Sequence, residues 1–251
     1  MSQAIRKGLF PRAMRFGISA TYRCNQACPH CNRHLHLLPW PDSDVSPEAV
    51  RLAGDRVRKA NIQIHKVRIT GGEPTLHPNL RAICEAVDSH WQPEKQSVVL
   101  TNGSLPKPDI GGLKFRYAWG TDKTKAELHR PWMISPVDMG LKPIVGFNGK
   151  DCWVQRGCGR GFDAFGFSCC VFAGALGRLF GIDPYSANPV EFGTEELCRH
   201  CVCSLSRKDQ WRLWVDAMEG RLPTPTTEYV KALERVKSGT IKFKRFEEMT
   251  R

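Results

Sequence analysis

Apolar and polar positions change period several times along the first half of the chain. Residues 14–20 (Met-Arg-Phe-Gly-Ile-Ser-Ala) read as a first strand. Val50, Ala53, Val57 and Ala60 then recur at helical spacing behind Ser46-Pro47, which predicts a helix over 47–60. Ser46 is a good N-cap, and Pro47 suits the first helical position. Lys66 to Thr70 is short, β-branched and bounded by glycines, so it reads as a buried second strand. Leu80, Ile83, Cys84 and Val87 mark another helix and assign Cys84 to the core. Ser97–Thr101 is a third strand that ends at Asn102-Gly103, and Phe115–Trp119 is a fourth. Strands alternating with helices predict parallel β/α units, in which ligands gather at the C-terminal strand ends.

Composition narrows the class. A length of 251 residues fits one large domain, or one domain with an appendage, and 41% hydrophobic residues is ordinary for a globular protein. No apolar run approaches the ~20 residues that span a bilayer. No targeting segment is evident in MSQAIRKGLFPRAMRF, so a reducing cytoplasm is expected, where eleven cysteines can act as thiolates. The net charge is +12, and the first 41 residues hold six Lys/Arg with no Asp or Glu. That balance favours an acidic partner, such as nucleic acid, a nucleotide or a phosphorylated metabolite.

The candidate chemistry begins with Cys24, Cys28 and Cys31, spaced C-x3-C-x2-C. Three thiolates can bind three corners of a cubane iron–sulfur cluster and leave one iron open. A structural zinc site is the alternative, with His34 or His36 as fourth ligand. Downstream, Gly71-Gly72-Glu73-Pro74 forms a turn at the end of the second strand, and its glycines would let the backbone pass close to a ligand. The cysteine loop, this turn and Thr101-Asn102 all fall at C-terminal strand ends.

In that order the two motifs resemble the radical S-adenosylmethionine (radical SAM) family, best over residues 14–103. The resemblance implies an α/β fold built on a partial (β/α)6 TIM-like barrel. Here the barrel would be abbreviated, with its last strands in 115–119 and 132–146. It implies a [4Fe-4S] cluster on Cys24, Cys28 and Cys31, with SAM chelating the open iron. It also implies that the Gly71–Pro74 backbone receives the SAM amino group and that His30 lies near the adenine. Thr101 and Asn102 join this cofactor-binding set. Gly120-Thr121-Asp122 and Ile134-Ser135-Pro136 sit at later strand ends without an assigned role, and the family's later glycine-rich motif is not recognisable.

A second cysteine group begins where composition shifts, near residue 147. Seven cysteines lie between Cys152 and Cys203, spread over a glycine- and aromatic-rich hairpin and a Cys198-Arg-His-Cys201 knuckle. Such paired sets signal a metal, with zinc and iron–sulfur both open. The layout resembles SPASM/twitch extensions, which implies a second, auxiliary iron–sulfur cluster. Cys158, Cys169, Cys198 and Cys201 are the favoured ligands, with Cys152, Cys170 and Cys203 in reserve. Seven cysteines fit one such site better than two.

Three segments follow: a core over 1–147, a cysteine-rich extension over 148–205, and helices with a basic tail over 206–251. In the last, Trp211, Trp214, Val215 and Met218 form a stripe expected to pack on the barrel. Thr227 can cap a further helix to about Val236, and the tail 238–246 reads as a solvated tail in preference to a final strand or a flexible arm touching a phosphate backbone.

The expected protein is thus a radical SAM enzyme. The resemblance implies cleavage of SAM to a 5′-deoxyadenosyl radical that abstracts a substrate hydrogen atom. It also implies an external electron donor of flavodoxin or ferredoxin type. The charge favours a nucleic-acid, nucleoside or phosphorylated substrate. A SPASM-type peptide-modifying enzyme is the competitor, weakened because the first 13 residues do not look like a peptide-binding winged helix. A zinc-stabilised nucleic-acid-binding protein without catalysis is the alternative from another class.

Overall fold

A computed structural model describes residues 13–38, 43–119, 130–143, 152–191, 195–239 and 242–250. Gly120-Thr121-Asp122 lies outside these residues. Six strands form one sheet: β1 (Met14–Thr21), β2 (Ile64–Gly71), β3 (Ser97–Thr101), β4 (Phe115–Trp119), β5 (Arg160–Asp163) and β6 (Gly166–Ser168). The order is β4-β3-β2-β1-β5-β6, parallel throughout except for the final hairpin strand. The sheet is open, so this is a mixed α/β fold with a partial barrel that does not close.

The first half follows the sequence pattern. Helix α1 (Pro47–Lys59) begins on Ser46, whose hydroxyl accepts from the Ala49 N–H at 2.9 Å. Helix α2 (Leu80–Ala86) runs into a wider turn over Val87–Trp91. Both helices cover one sheet face, where Phe16, Ile18, Val67, Ile69 and Val99 are fully buried. Burying each such side chain contributes about 2 kcal/mol. Trp91 closes this layer: its ring meets Phe16 edge-on at 5.2 Å, and its indole N–H donates to Val50 O at 2.8 Å. Cys84 belongs to this core, and burial pushes its thiol up to about 12.

The other face is polar in part. Gly17 and Ser19 of β1 are in register with Arg68 and Thr70 of β2. Gly17, Arg68, Thr70 and Leu100 line a cleft on this side.

Beyond β4 the structure departs from expectation. Residues 130–143 hold no strand, only a 3-10 turn over Pro136–Met139. Pro131, Pro136 and Pro143 remove ladder donors there. The backbone pairs instead with the C-terminal helices: Ser135 N–H donates to Thr226 Oγ1 and Thr226 N–H to Met133 O, both at 3.0 Å. The strand beside β1 comes from the later hairpin, β5–β6, so part of the cysteine-rich segment completes the sheet.

Helices α3 (Trp153–Gly157), α4 (Ala173–Phe180), α5 (Glu195–Arg199), α6 (Arg207–Met218), α7 (Thr227–Ser238) and α8 (Phe246–Met249) complete the described chain. Thr226, not Thr227, is the N-cap residue of α7. The α6 stripe is also displaced. Gln210, Leu213 and Trp214 are buried, whereas Trp211 is 54% and Met218 48% exposed. Gln210 can be buried because its amide is fully used: Nε2 donates to Cys203 O and Leu205 O, and Oε1 accepts from Trp153 Nε1–H. The tail is anchored rather than solvated. Phe246 is fully buried, its ring 5.0 Å from Phe162 and its N–H on Ala164 O at 3.0 Å. Among the described residues, no helix is long and apolar enough to cross a membrane.

Candidate functional site: a cysteine-lined cleft and a second cysteine cavity

The cleft is built where β1, β2 and β3 end. Past Thr21 the chain crosses the Gly71–Pro74 turn. Gly72 N–H donates to Thr21 O at 2.7 Å, and Glu73 N–H donates to Arg23 O at 2.9 Å. A Cβ at Gly71 would stand 2.0 Å from Thr21 O, and one at Gly72 would stand 2.0 Å from Arg23 O. Gly71 also has φ +131°, which disfavours any side chain. The closest approach to this turn is therefore by the chain's own backbone. The glycines let the start of the cysteine loop sit on the turn, and both still line the cleft.

Glu73 is the fastener. Its side chain is fully buried, and four donors surround its carboxylate. Oε1 accepts from Thr75 N–H at 3.1 Å, Thr75 Oγ1 at 2.7 Å and Thr101 Oγ1 at 2.7 Å. Oε2 accepts from Asn102 N–H at 2.7 Å. Asn102 reaches onward, donating from Nδ2 to Asn25 Oδ1 at 2.9 Å. The second-strand turn, the third-strand end and the cysteine loop are thus one hydrogen-bonded unit. The side chains of Glu73 and Thr101 serve that unit.

The cleft, about 410 Å³, is lined by Cys24, Cys28 and Cys31 together with Gly71, Gly72, Thr101 and Asn102. His30, Glu73 and Pro74 do not line it. His30 keeps a buried Nδ1 without a hydrogen-bond partner, and burial lowers its pKa. Burial pushes the Cys24 thiol up. His34 is buried edge-on to Tyr229 at 5.7 Å, and burial, with His36 nearby, lowers its pKa to about 4. It is a core residue.

Sequence reading missed several cleft residues. Arg33 and Arg68 line it, as do Trp119, Val171 and Phe172. Arg33 is buried, donates to Ser19 Oγ at 2.6 Å and lies 6.0 Å over the Phe172 ring. Arg68 donates to Gly157 O at 2.6 Å and so holds the end of α3. The signal was present in β2, where Lys66, Arg68 and Thr70 alternate with Val67 and Ile69. A strand covered by apolar layers on both faces would lack that alternation. Among the described lining residues there is no carboxylate.

The second cysteine group divides. Cys152, Cys169, Cys170, Cys198, Cys201 and Cys203 line one small cavity of about 20 Å³. Cys158, grouped by sequence with Cys169, Cys198 and Cys201, lines the cleft with the first triad and not this cavity. The reason is local. Cys152 is the N-cap and Cys158 the C-cap of the short helix α3, so they open toward different sites. In the cavity, Cys170 is held below the usual thiol range by the hydrogen bond from Cys169, with the Phe172 and Ala173 N–H groups adding to it. Cys169 is correspondingly pushed up, and burial does the same to Cys203 and to Cys152, the last to about 12. A coordinating cation would reverse the upward shifts. Among the described residues, no three His, Cys, Asp or Glu side chains are gathered tightly enough to grip a single ion, so each set is a lining rather than a closed sphere. Phe172 lines both spaces and separates them.

A buried polar cluster lies at the end of β5. Asp163 Oδ2 accepts from Tyr22 at 2.7 Å and Tyr185 at 2.8 Å, and Oδ1 accepts from Phe165 N–H at 2.9 Å. Burial nonetheless pushes Asp163 from 3.8 up to about 6. The folded state then holds this proton more tightly than the unfolded chain between those values. Its contribution to stability is fully present below about pH 4 and is lost as pH rises through 6, by up to about 3 kcal/mol. The difference in urea unfolding free energy between wild type and Asp163→Asn is expected to shift by that amount, against wild type, from pH 4 to 7. A constant difference would contradict the shift.

Residues 18–113 match the family model of the Radical SAM superfamily. The matched segment, a little over a third of the chain, is similar to radical SAM domains, the kind that hold a [4Fe-4S] cluster and SAM. Over 113 residues the chain is 40% identical to the GTP 3′,8-cyclase of Streptomyces coelicolor, which covers 44% of this chain and 31% of that protein. Over 99 residues it is 38% identical to the mitochondrial GTP 3′,8-cyclase of Arabidopsis thaliana, covering 39% and 24%. The chain spans less than a third of the length of these two curated relatives. Solved structures of BtrN with AdoMet and 2-DOIA (TM-score 0.32, 14% identity, 38% of each chain) and of Streptococcus suis SuiB with precursor peptide SuiA (TM-score 0.32, 18% identity, 39% and 20%) are similar in part.

Proposed function

We propose that this protein is a radical SAM enzyme acting on a nucleotide-bearing substrate. Three observations test the fit of the cofactors. Cys24, Cys28 and Cys31, with Cys158 beside them and no carboxylate among the described lining residues, line one cleft; the Gly71–Gly72 backbone lines the same cleft; and Glu73 fastens the cleft's walls together. The donor set fits. Cys24, Cys28 and Cys31 would hold a [4Fe-4S] cluster, and the Gly71–Gly72 backbone would orient SAM. When bound and reduced by a flavodoxin- or ferredoxin-type donor, this pair supplies a 5′-deoxyadenosyl radical that takes a hydrogen atom from substrate. The chain's own residues position the substrate and keep water out. Phe172, Val171 and Trp119 give the cleft apolar walls, and Arg33 and Arg68 give it positive charge.

The substrate class rests on one observation: the cleft carries arginines and no carboxylate among its described lining residues. A net charge of +12 and relatives named for GTP agree with it. In an anaerobic assay with SAM and dithionite, nucleotides or short nucleic acids are expected to raise 5′-deoxyadenosine formation. Stimulation by peptides alone would favour the peptide-modifying reading.

A second iron–sulfur cluster would draw its ligands from Cys152, Cys169, Cys170, Cys198, Cys201 and Cys203, whose small cavity would open around it. In the Cys24/Cys28/Cys31 triple alanine variant, about four irons per chain are expected to remain. Cys201→Ala added to that variant should remove them. No iron in the triple variant, or zinc in its place, would rule the second cluster out.

A further inference from the structure

A second aromatic site lies outside the cleft, on the far side of the cysteine cavity. Arg130, Trp153, Arg207, Gln210, Trp211 and Trp214 line a groove of about 340 Å³. Its aromatic faces are already matched to planar cations. The Arg130 guanidinium lies 4.6 Å from the Trp214 ring and 5.4 Å from the Trp211 ring. Trp211 is more than half exposed at a helix position whose neighbours Gln210 and Trp214 are buried. Burial in the core does not explain a tryptophan there. The nearby carboxylate, Asp209, is engaged by Ser206 Oγ at 2.6 Å and faces Arg212 at 3.7 Å, so the groove keeps a positive balance.

An exposed indole with arginines alongside, backed by further tryptophans, is the equipment of a site for unpaired bases and their phosphates. A planar base gains attraction from an exposed indole whatever its identity, and the arginines supply phosphate contacts. An acidic protein surface would be served by the charge, but it would not need three tryptophans in one groove.

The groove is also coupled to the cleft. Phe172 is a cleft wall, and Trp132 meets it edge-on at 5.4 Å. Trp132 in turn meets Trp214 at 5.8 Å and Trp153 at 6.2 Å. One indole therefore bridges the cleft wall and the groove. A strand offers one nucleotide to the cleft and an unpaired base to the groove, whereas a free nucleotide offers only one of the two.

We infer that the Trp211 groove is a stacking site for single-stranded nucleic acid, and that the substrate nucleotide is presented within a strand. This deepens the nucleotide reading above and rests on it. The test uses the anaerobic full-length protein and fluorescein-labelled octauridylate and octathymidylate, read by anisotropy. Trp211→Ala is expected to weaken octamer binding by about 5- to 100-fold, and Trp211→Phe to restore it to within a few-fold. GTP, as a mononucleotide, should bind both proteins equally. Basal SAM cleavage should be unchanged in Trp211→Ala, since Trp211 does not line the cleft. Octamer binding indifferent to Trp211→Ala would overturn the inference. So would a heparin octasaccharide displacing the octamers equally from wild type and Trp211→Ala, or dependence on Trp211 only for flavodoxin. Absence of SAM cleavage by wild type is a separate result, which strikes the enzyme reading and not the groove.

Discussion

Cys28→Ala is expected to abolish reductive SAM cleavage, with 5′-deoxyadenosine falling to the level of a protein-free control. Cys28 is the buried member of the triad and lines the cleft with Cys24 and Cys31. In a cubane held by three thiolates, losing one removes the arrangement that leaves a single iron open. Cys158 also lines the cleft and is the residue best placed to substitute. The Cys28→Ala/Cys158→Ala double variant should therefore be as inactive as the single one. Iron retained in Cys28→Ala but lost in the double variant would identify Cys158 as a stand-in ligand. Full SAM cleavage by Cys28→Ala would contradict the assigned site.

The second large effect is expected from Gly72→Ala. Its new Cβ would stand 2.0 Å from Arg23 O, a backbone atom that is itself held by the Glu73 N–H. Neither partner can give way without separating the cysteine loop from the turn. The cost should be about 3 kcal/mol, the upper end of the range for overpacking at a backbone that cannot shift. It should appear as a lower urea midpoint and as poor iron retention at the first site. A glycine that served only to admit a ligand would behave differently, because Gly72→Ala would then leave unfolding unchanged and weaken SAM binding alone. Measuring both quantities separates the two roles.

The first half of the fold was legible because its elements are long and locally consistent. The Ser46-Pro47 cap, the α1 stripe and the β-branched runs of β2 and β3 each point to one state. The cleft followed from topology, since parallel strands bring their C-terminal ends together. What escaped depends on distant partners. β5 has only four residues, two of them among Arg160, Gly161, Phe162 and Asp163 polar, and its place beside β1 is fixed across some 140 positions of chain. Residues 131–136 carry a strand-like run, yet their backbone is satisfied by the cap of α7. The α6 stripe misled because Gln210, polar in sequence, is buried by the bonds it makes to Cys203 and Leu205, while Trp211 is left outside. Spacing alone does not show that Cys158, at the end of α3, lines the cleft while Cys152, at its start, lines the cavity.

The glycine motif shows a different kind of gap. Its position at the cleft was readable, but its closest contact was not. Gly71 and Gly72 are crowded by Thr21 and Arg23, residues fifty positions earlier. The same holds for Glu73, whose buried carboxylate joins Thr101 and Asn102 to the turn. Spacing indicated which segments meet, and the hydrogen bonds explain why they stay together.

The account is tested most directly by purifying the wild-type protein anaerobically, counting iron and sulfide, and incubating it with SAM and dithionite. A brown protein with about eight irons and eight sulfides per chain, forming methionine and 5′-deoxyadenosine, is the predicted result. Colourless protein with stoichiometric zinc and intact SAM would contradict it.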